Sequence, residues 1–253
     1  MPKPLQDAYA ACAIHSTKTP ENEFVAFNII EAKANELLRS PSQHSWTPLD
    51  LLAAIQSLMI FQFIRLFDGD IRQRALAESA EPVLEAWTEQ LKQRTVEERD
   101  FTTITAPSWR SWVFAESARR TIIMSMVLSG IYSLVKLGFC TMSDKVSELS
   151  FSGQRRLWEA SSQLAWDRAK ANFSPHWVNK MHFEPLLMEA KGSELDDFGT
   201  IMLIMYKGKD AIDHWLETTG GNRPFIAAPD LHDSLMDMVQ FQEGSISSAE
   251  LIA

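Results

Sequence analysis

"WRSWVFAESARRTIIMSMVLSGIYSLVKLG", Trp109 to Gly138, decides the fold. The stretch holds no proline and ends on a glycine, the residue that most readily takes the left-handed conformation closing a helix. It predicts one helix from Trp109 to about Leu137. Past Arg120 the segment is apolar on nearly every side, and a helix that is apolar all round is buried. Ser117, Thr121, Ser125, Ser129 and Ser133 recur at every fourth position. That makes a slanted row of small side chains, a groove in which another helix can pack closely. The chain is therefore expected to be all-α, a single large helical domain built around a long buried central helix.

Helix starts elsewhere agree. Thr19-Pro20, Thr47-Pro48 and Ser174-Pro175 each pair a capping hydroxyl with a proline suited to the first helical turn. The first is expected to open a helix running to about Arg39, the second a helix with Trp46 and Leu51 at the staple positions, the third a later helix. No clean period-2 alternation marks a strand. Loops are expected at Ser40–Ser45, at about Thr95–Pro107 and at Gly220-Gly221-Asn222-Arg223-Pro224. Residues 1–228 are assigned to the helical domain. Residues 229–253 are assigned to a C-terminal helix and tail, in which Asp230, Asp233 and Asp237 alternate with Leu231, Leu235, Met236, Met238, Val239 and Phe241.

"RLFDGDIRQRALAE", Arg65 to Glu78, follows the apolar run LLAAIQSLMIFQFI. Asp70 and Gln73 stand at N-cap and N3 spacing, and Gly69 permits a turn before them. Either Phe67 ends one helix and Ile71 begins the next, or one helix continues with a kink. A calcium loop would need further oxygen ligands at alternating positions and a closing Glu; these are absent, and no metal site is assigned. Arg65, Asp68, Asp70, Arg72, Glu116, Arg119 and Arg120 are assigned to a structural charge network, with arginines beside the two aspartates and Glu116 at helical spacing from Arg119 and Arg120.

Composition bounds the rest. The net charge is −9 over 253 residues, 45% hydrophobic. No Lys/Arg-rich block is present to neutralise phosphates, so direct nucleic-acid contact by this chain alone is not expected. Cys12 and Cys140 cannot build a disulfide framework or a four-cysteine zinc site. Both read as small buried hydrophobes. The opening MPKPLQDAYA has no apolar core of a signal peptide. The greasiest run, Thr121–Val135, falls short of the ~20 residues that a membrane span needs. A soluble intracellular protein without membrane partners is expected. No cofactor motif is found. LDDFGT at Leu195–Thr200 is similar to the aspartate pair of terpene cyclases but lacks their third acidic residue.

Five stretches occur in order: LQDAYAACAIHSTKTPENE, QSLMIFQFIRLFDGDIRQRALAE, WRSWVFAESARRT, GIYSLVKLG and LWEASSQLAW. Together, from about Leu5 to Trp215, they resemble the regulatory region of fungal transcription factors with a zinc binuclear cluster. The arginine-flanked DGD and Glu116–Arg120 are its most specific pieces. The resemblance implies an all-helical, non-DNA-binding regulatory domain, a nuclear location and control of a secondary-metabolite pathway. It implies as partners a protein, such as a full-length transcription factor, or a second copy of the chain. The zinc head of that family uses six closely spaced cysteines, and this sequence has two. A head encoded upstream, a headless regulator acting through a partner, and a helical domain recruited as an enzyme all fit that difference.

Two functions follow. The first is a transcription-regulator-like protein that binds a small hydrophobic effector or a protein partner, with Trp109, Trp112, Tyr132 and Trp158 as candidate ligand walls. The alternative is a cofactor-free cytoplasmic cyclase or isomerase, with Glu116 or His176 as acid or base.

Overall fold

The computed structural model describes residues 1–40, 43–95 and 107–221. Among them the chain is all-α but for one two-stranded ribbon. The described chain divides into two compact units. The first comprises 1–95, 114–133 and 141–146, the second 107–113, 134–140 and 147–221. The acidic segment 229–253 and most of the expected loops lie outside the described residues.

The first unit begins with α1 (Lys3–Ser16) and α2 (Glu23–Leu38). Helix α2 starts three residues beyond Pro20. Asn22 sits at its N-cap position, and its side-chain oxygen accepts from the Thr19 N–H at 2.7 Å instead of capping α2. Helix α3 (Pro48–Phe67) starts where Thr47-Pro48 predicts. The Thr47 hydroxyl accepts from the Asp50 N–H, and the Asp50 carboxylate accepts from the Thr47 N–H, a complete capping box. Leu51, Ile55 and Leu58 of α3 are fully buried. Helix α4 (Ile71–Thr95) follows. The Phe67–Ile71 break is therefore a joint between two helices, not a kink.

Helix α5 runs Trp109–Leu137, and Gly138 closes it at φ 82°. No residue from Trp112 to Leu134 is exposed. Its row of small side chains meets polar partners from both neighbours: Gln56 of α3 donates to the Thr121 hydroxyl at 3.0 Å, and Thr88 of α4 shares a hydrogen bond with Ser125 at 2.9 Å. The row is thus a hydrogen-bonded seam as well as a groove. A short α6 (Ser143–Ser147) follows.

The second unit is built differently. Strand β1 (Phe151–Ser152) pairs antiparallel with β2 (Trp177–Val178). Between them lie α7 (Arg155–Trp158) and α8 (Gln163–Asn172); beyond them lie α9 (Glu184–Glu189), α10 (Asp197–Lys207) and α11 (Lys209–Thr219). Ser174-Pro175 does not open a helix. It leads into β2, its carbonyls engaged by the side chains of Gln154 and Ser152. The LDDFGT motif is structural: Asp196 caps α10 by accepting from the Gly199 N–H at 2.8 Å, and Asp197 pairs with Arg155.

Helices α3 and α5 are long and apolar enough, by length and composition, to cross a membrane. Thr121–Val135 is too short alone, but the whole of α5, Trp109–Leu137, is long enough. Both helices carry buried ionic side chains, Arg65 on α3 and Glu116 and Arg120 on α5. Cys12 and Cys140 are both exposed, against the expectation of burial.

Candidate functional site

The seven charged residues form separate groups. Glu116 is fully buried. Its Oε2 accepts from Nε and Nη2 of Arg119 at 3.0 and 2.8 Å, and its Oε1 from Nε of Arg120 at 2.9 Å. The spacing along α5 brings these three together, as expected for i,i+3 and i,i+4 neighbours. None of the bonds made by Arg65, Asp68, Asp70 or Arg72 reaches that group.

At the joint, the expected arginine partners go elsewhere. Asp68 accepts from Lys18 at 2.6 Å and pairs with His15 at 2.7 Å, both from the N-terminal hairpin of helices. Burial pushes its carboxyl up, but the hydrogen bonds from Lys18 and His15 outweigh this and hold it below the usual carboxylate range. Asp70 accepts from the Gln73 N–H at 2.7 Å, the expected cap. The Gln73 side chain does not return the bond; it donates to Glu31, which also receives Arg72. Arg65 turns inward, 1% exposed, and donates to Gln62 at 2.6 Å. Burial, partly offset by Glu31, lowers its guanidinium to about 10.

Gly69 sits in the turn between the two helices, as the sequence suggests. It takes no left-handed conformation; instead a Cβ there would stand 2.3 Å from the Arg65 carbonyl oxygen and 2.7 Å from the Gln73 Cβ. The joint is a close approach of backbone to backbone that only glycine fits.

The aromatic candidates divide too. Trp112 belongs to a buried cluster with Leu157, Trp166 and Ala169, and Trp109 and Trp158 pack against it. Tyr132 sits in another cluster, with Leu66 and Ala77. Tyr132 belongs to the first unit, and Trp109, Trp112 and Trp158 to the second. Burial and the Glu78 carboxylate, which accepts from its hydroxyl, push the Tyr132 phenol up to about 12. Trp166, which sequence reasoning left unsorted, is the fully buried centre of the tryptophan cluster.

Beside that cluster, in the second unit, lies an open cleft of about 630 Å³. Helix α8 lines it with Ala165, Arg168, Ala169 and Asn172, a stripe at i, i+3, i+4 and i+7, and Phe173 follows at its end. Opposite stand Arg156, Glu159 and Ala160, from α7 and the residues after it. Glu159 is engaged by Arg155 at 3.3 Å. The Arg156 and Arg168 guanidinium groups have no carboxylate partner among the described residues. Neither Glu116 nor His176 lines this cleft; His176 meets Glu194 at 3.3 Å. The arrangement can bind an anion flanked by apolar groups, and it holds no nucleophile–base pair.

No family model matches the chain, and no solved structure matches it. Transcription factor gsfR2 of Penicillium aethiopicum is 38% identical to it over 224 residues, which cover 85% of this chain and 54% of that protein. The chain thus spans about half the length of the curated relative it matches. Over most of its length, therefore, this chain is related to a fungal transcription factor.

Proposed function

We propose that these residues form the regulatory part of a transcription regulator, the part that does not itself touch DNA. The observation that carries the reading is the 38% identity to a transcription factor across 85% of the chain. The charge supports it: at −9, without a cationic block, the chain lacks the footprint of a phosphate-binding surface. Its input is a small apolar effector or a protein partner. The cleft between α7 and α8 is the place where an effector with an anionic group would find two guanidiniums and an apolar floor. The setting is nuclear, and the controlled genes belong to a fungal secondary-metabolite pathway.

The test is a fusion of this chain to an unrelated DNA-binding domain, read on a reporter carrying that domain's site. Expression should rise or fall relative to the DNA-binding domain alone, while the chain by itself leaves the mobility of duplex DNA unchanged at physiological salt. A reporter indistinguishable from the control, or a mobility shift by the isolated chain, would overturn the reading.

A further inference from the structure

The cleft in the second unit has a charge that the chain's own sequence can meet. Arg156 and Arg168 face it without carboxylate partners among the described residues, in a protein whose net charge is −9. The one carboxylate on the rim, Glu159, is held by Arg155, which also reaches Asp197 at 3.1 Å. Apart from Asn172 and Glu159 the rest of the lining is apolar: Ala160, Ala165, Ala169 and Phe173. An occupant must therefore bring negative charge and apolar side chains together.

Residues 229–241 have that composition. Asp230, Asp233 and Asp237 recur at the spacing of one helical face, among Leu231, Leu235, Met236 and Phe241, and no Lys or Arg follows Arg223. The described chain ends on the correct side of the problem. Gly221 lies against Gly192, close enough that a Cβ on Gly221 would stand 2.8 Å from the Gly192 Cα. The 3-10 turn Gly192–Glu194 packs against α7, which carries Arg156. From Gly221 to Asp230 the chain can span up to roughly 30 Å, so one packed element and a short connection separate the exit point from the cleft.

We propose that the cleft between α7 and α8 is the docking site of the chain's own acidic-apolar segment, residues 229–241, with Arg156 and Arg168 taking the Asp233 and Asp237 carboxylates. Docking withdraws Leu235 and Met236 from other partners. An anionic ligand that competes for the two arginines releases them. The inference does not depend on the transcriptional reading, because the contact is measurable whatever the chain regulates.

The experiment is amide hydrogen exchange on the full chain, read by mass spectrometry over 229–241. In the unmodified protein these amides should exchange at least about tenfold more slowly than in a synthetic peptide of the same residues. Arg156→Glu with Arg168→Glu should remove that protection while leaving the exchange of α3 and α5 unchanged. Adding Asp233→Arg and Asp237→Arg to the same chain should restore it. Exchange at the peptide's rate in the unmodified protein overturns the proposal, as does protection that survives the arginine reversals. Protection that grows with protein concentration would seat a second copy's segment there and overturn the intramolecular contact.

Discussion

Glu116 and Asp68, both in the first unit, each meet two cations, and they do opposite work. Glu116 is fully buried on α5 between Arg119 and Arg120, whose side chains are 11% and 8% exposed. Asp68 sits at the joint between α3 and α4 with half its side chain in water, beside Lys18 and His15. The geometry is equally good at both. What differs is the solvent, and with it the dielectric in which the charges meet. At Glu116 the ions lost their hydration on folding, and removing one takes a charge partner from the others where water is scarce. At Asp68, water stands ready to solvate whichever partner is left. Equal contact lists thus carry unequal consequences.

The sharpest way to break that comparison is to remove one member of the buried group. Glu116→Ala and Arg120→Ala should each cost ~3–5 kcal/mol. Tm should then fall by the order of 10 °C in a chain of this size. The loss should be nearly the same at low and high salt, since buried pairs are poorly screened. Calorimetry of both variants in dilute and in molar sodium chloride checks this. An unchanged Tm would show that the group is not structural.

A smaller effect is expected where the joint depends on shape instead of charge. Gly69→Ala places a methyl 2.3 Å from the Arg65 carbonyl oxygen, a backbone atom that cannot swing aside. The two helices must separate, at ~1–3 kcal/mol. Denaturant unfolding measures it. A variant as stable as the parent would mean that Gly69 serves the joint in some other way.

The sequence made local features legible because their causes are local. Both ends of α5, the Thr47 cap of α3 and the break after Phe67 follow from capping residues and glycine within a few positions of the event. The spacing of Glu116, Arg119 and Arg120 on one helix was equally visible. What stayed hidden depends on distance along the chain. Lys18 and His15 reach Asp68 from about fifty residues away, and nothing near the aspartate announces them. Strands β1 and β2 are two residues each, too short for alternation to register, so Ser174-Pro175 was read by its local helix-start chemistry alone. The cleft needed the fold, since α7 and α8 each supply only half of it.

The smallest effect belongs to Asp68, and its pH dependence sets it apart from Glu116. Its carboxyl is held below the usual range in the folded chain, so folding favours the charged form. The stabilisation is therefore complete above the unfolded-state pKa and is lost as pH falls through the lowered folded one. Asp68→Asn should cost ~0.2–1 kcal/mol at neutral pH, since a half-exposed pair is worth little. The cost should shrink toward zero in the acid range below the ordinary aspartate pKa and shrink also with added salt. The difference in stability between parent and Asp68→Asn should thus hold steady above the acid range and decline as pH falls through it. Urea titrations from pH 3 to pH 8 trace that curve. A flat difference would mean that the joint is held by Asp70 and Gly69 alone, with the Asp68 pair contributing no more than its surroundings in water.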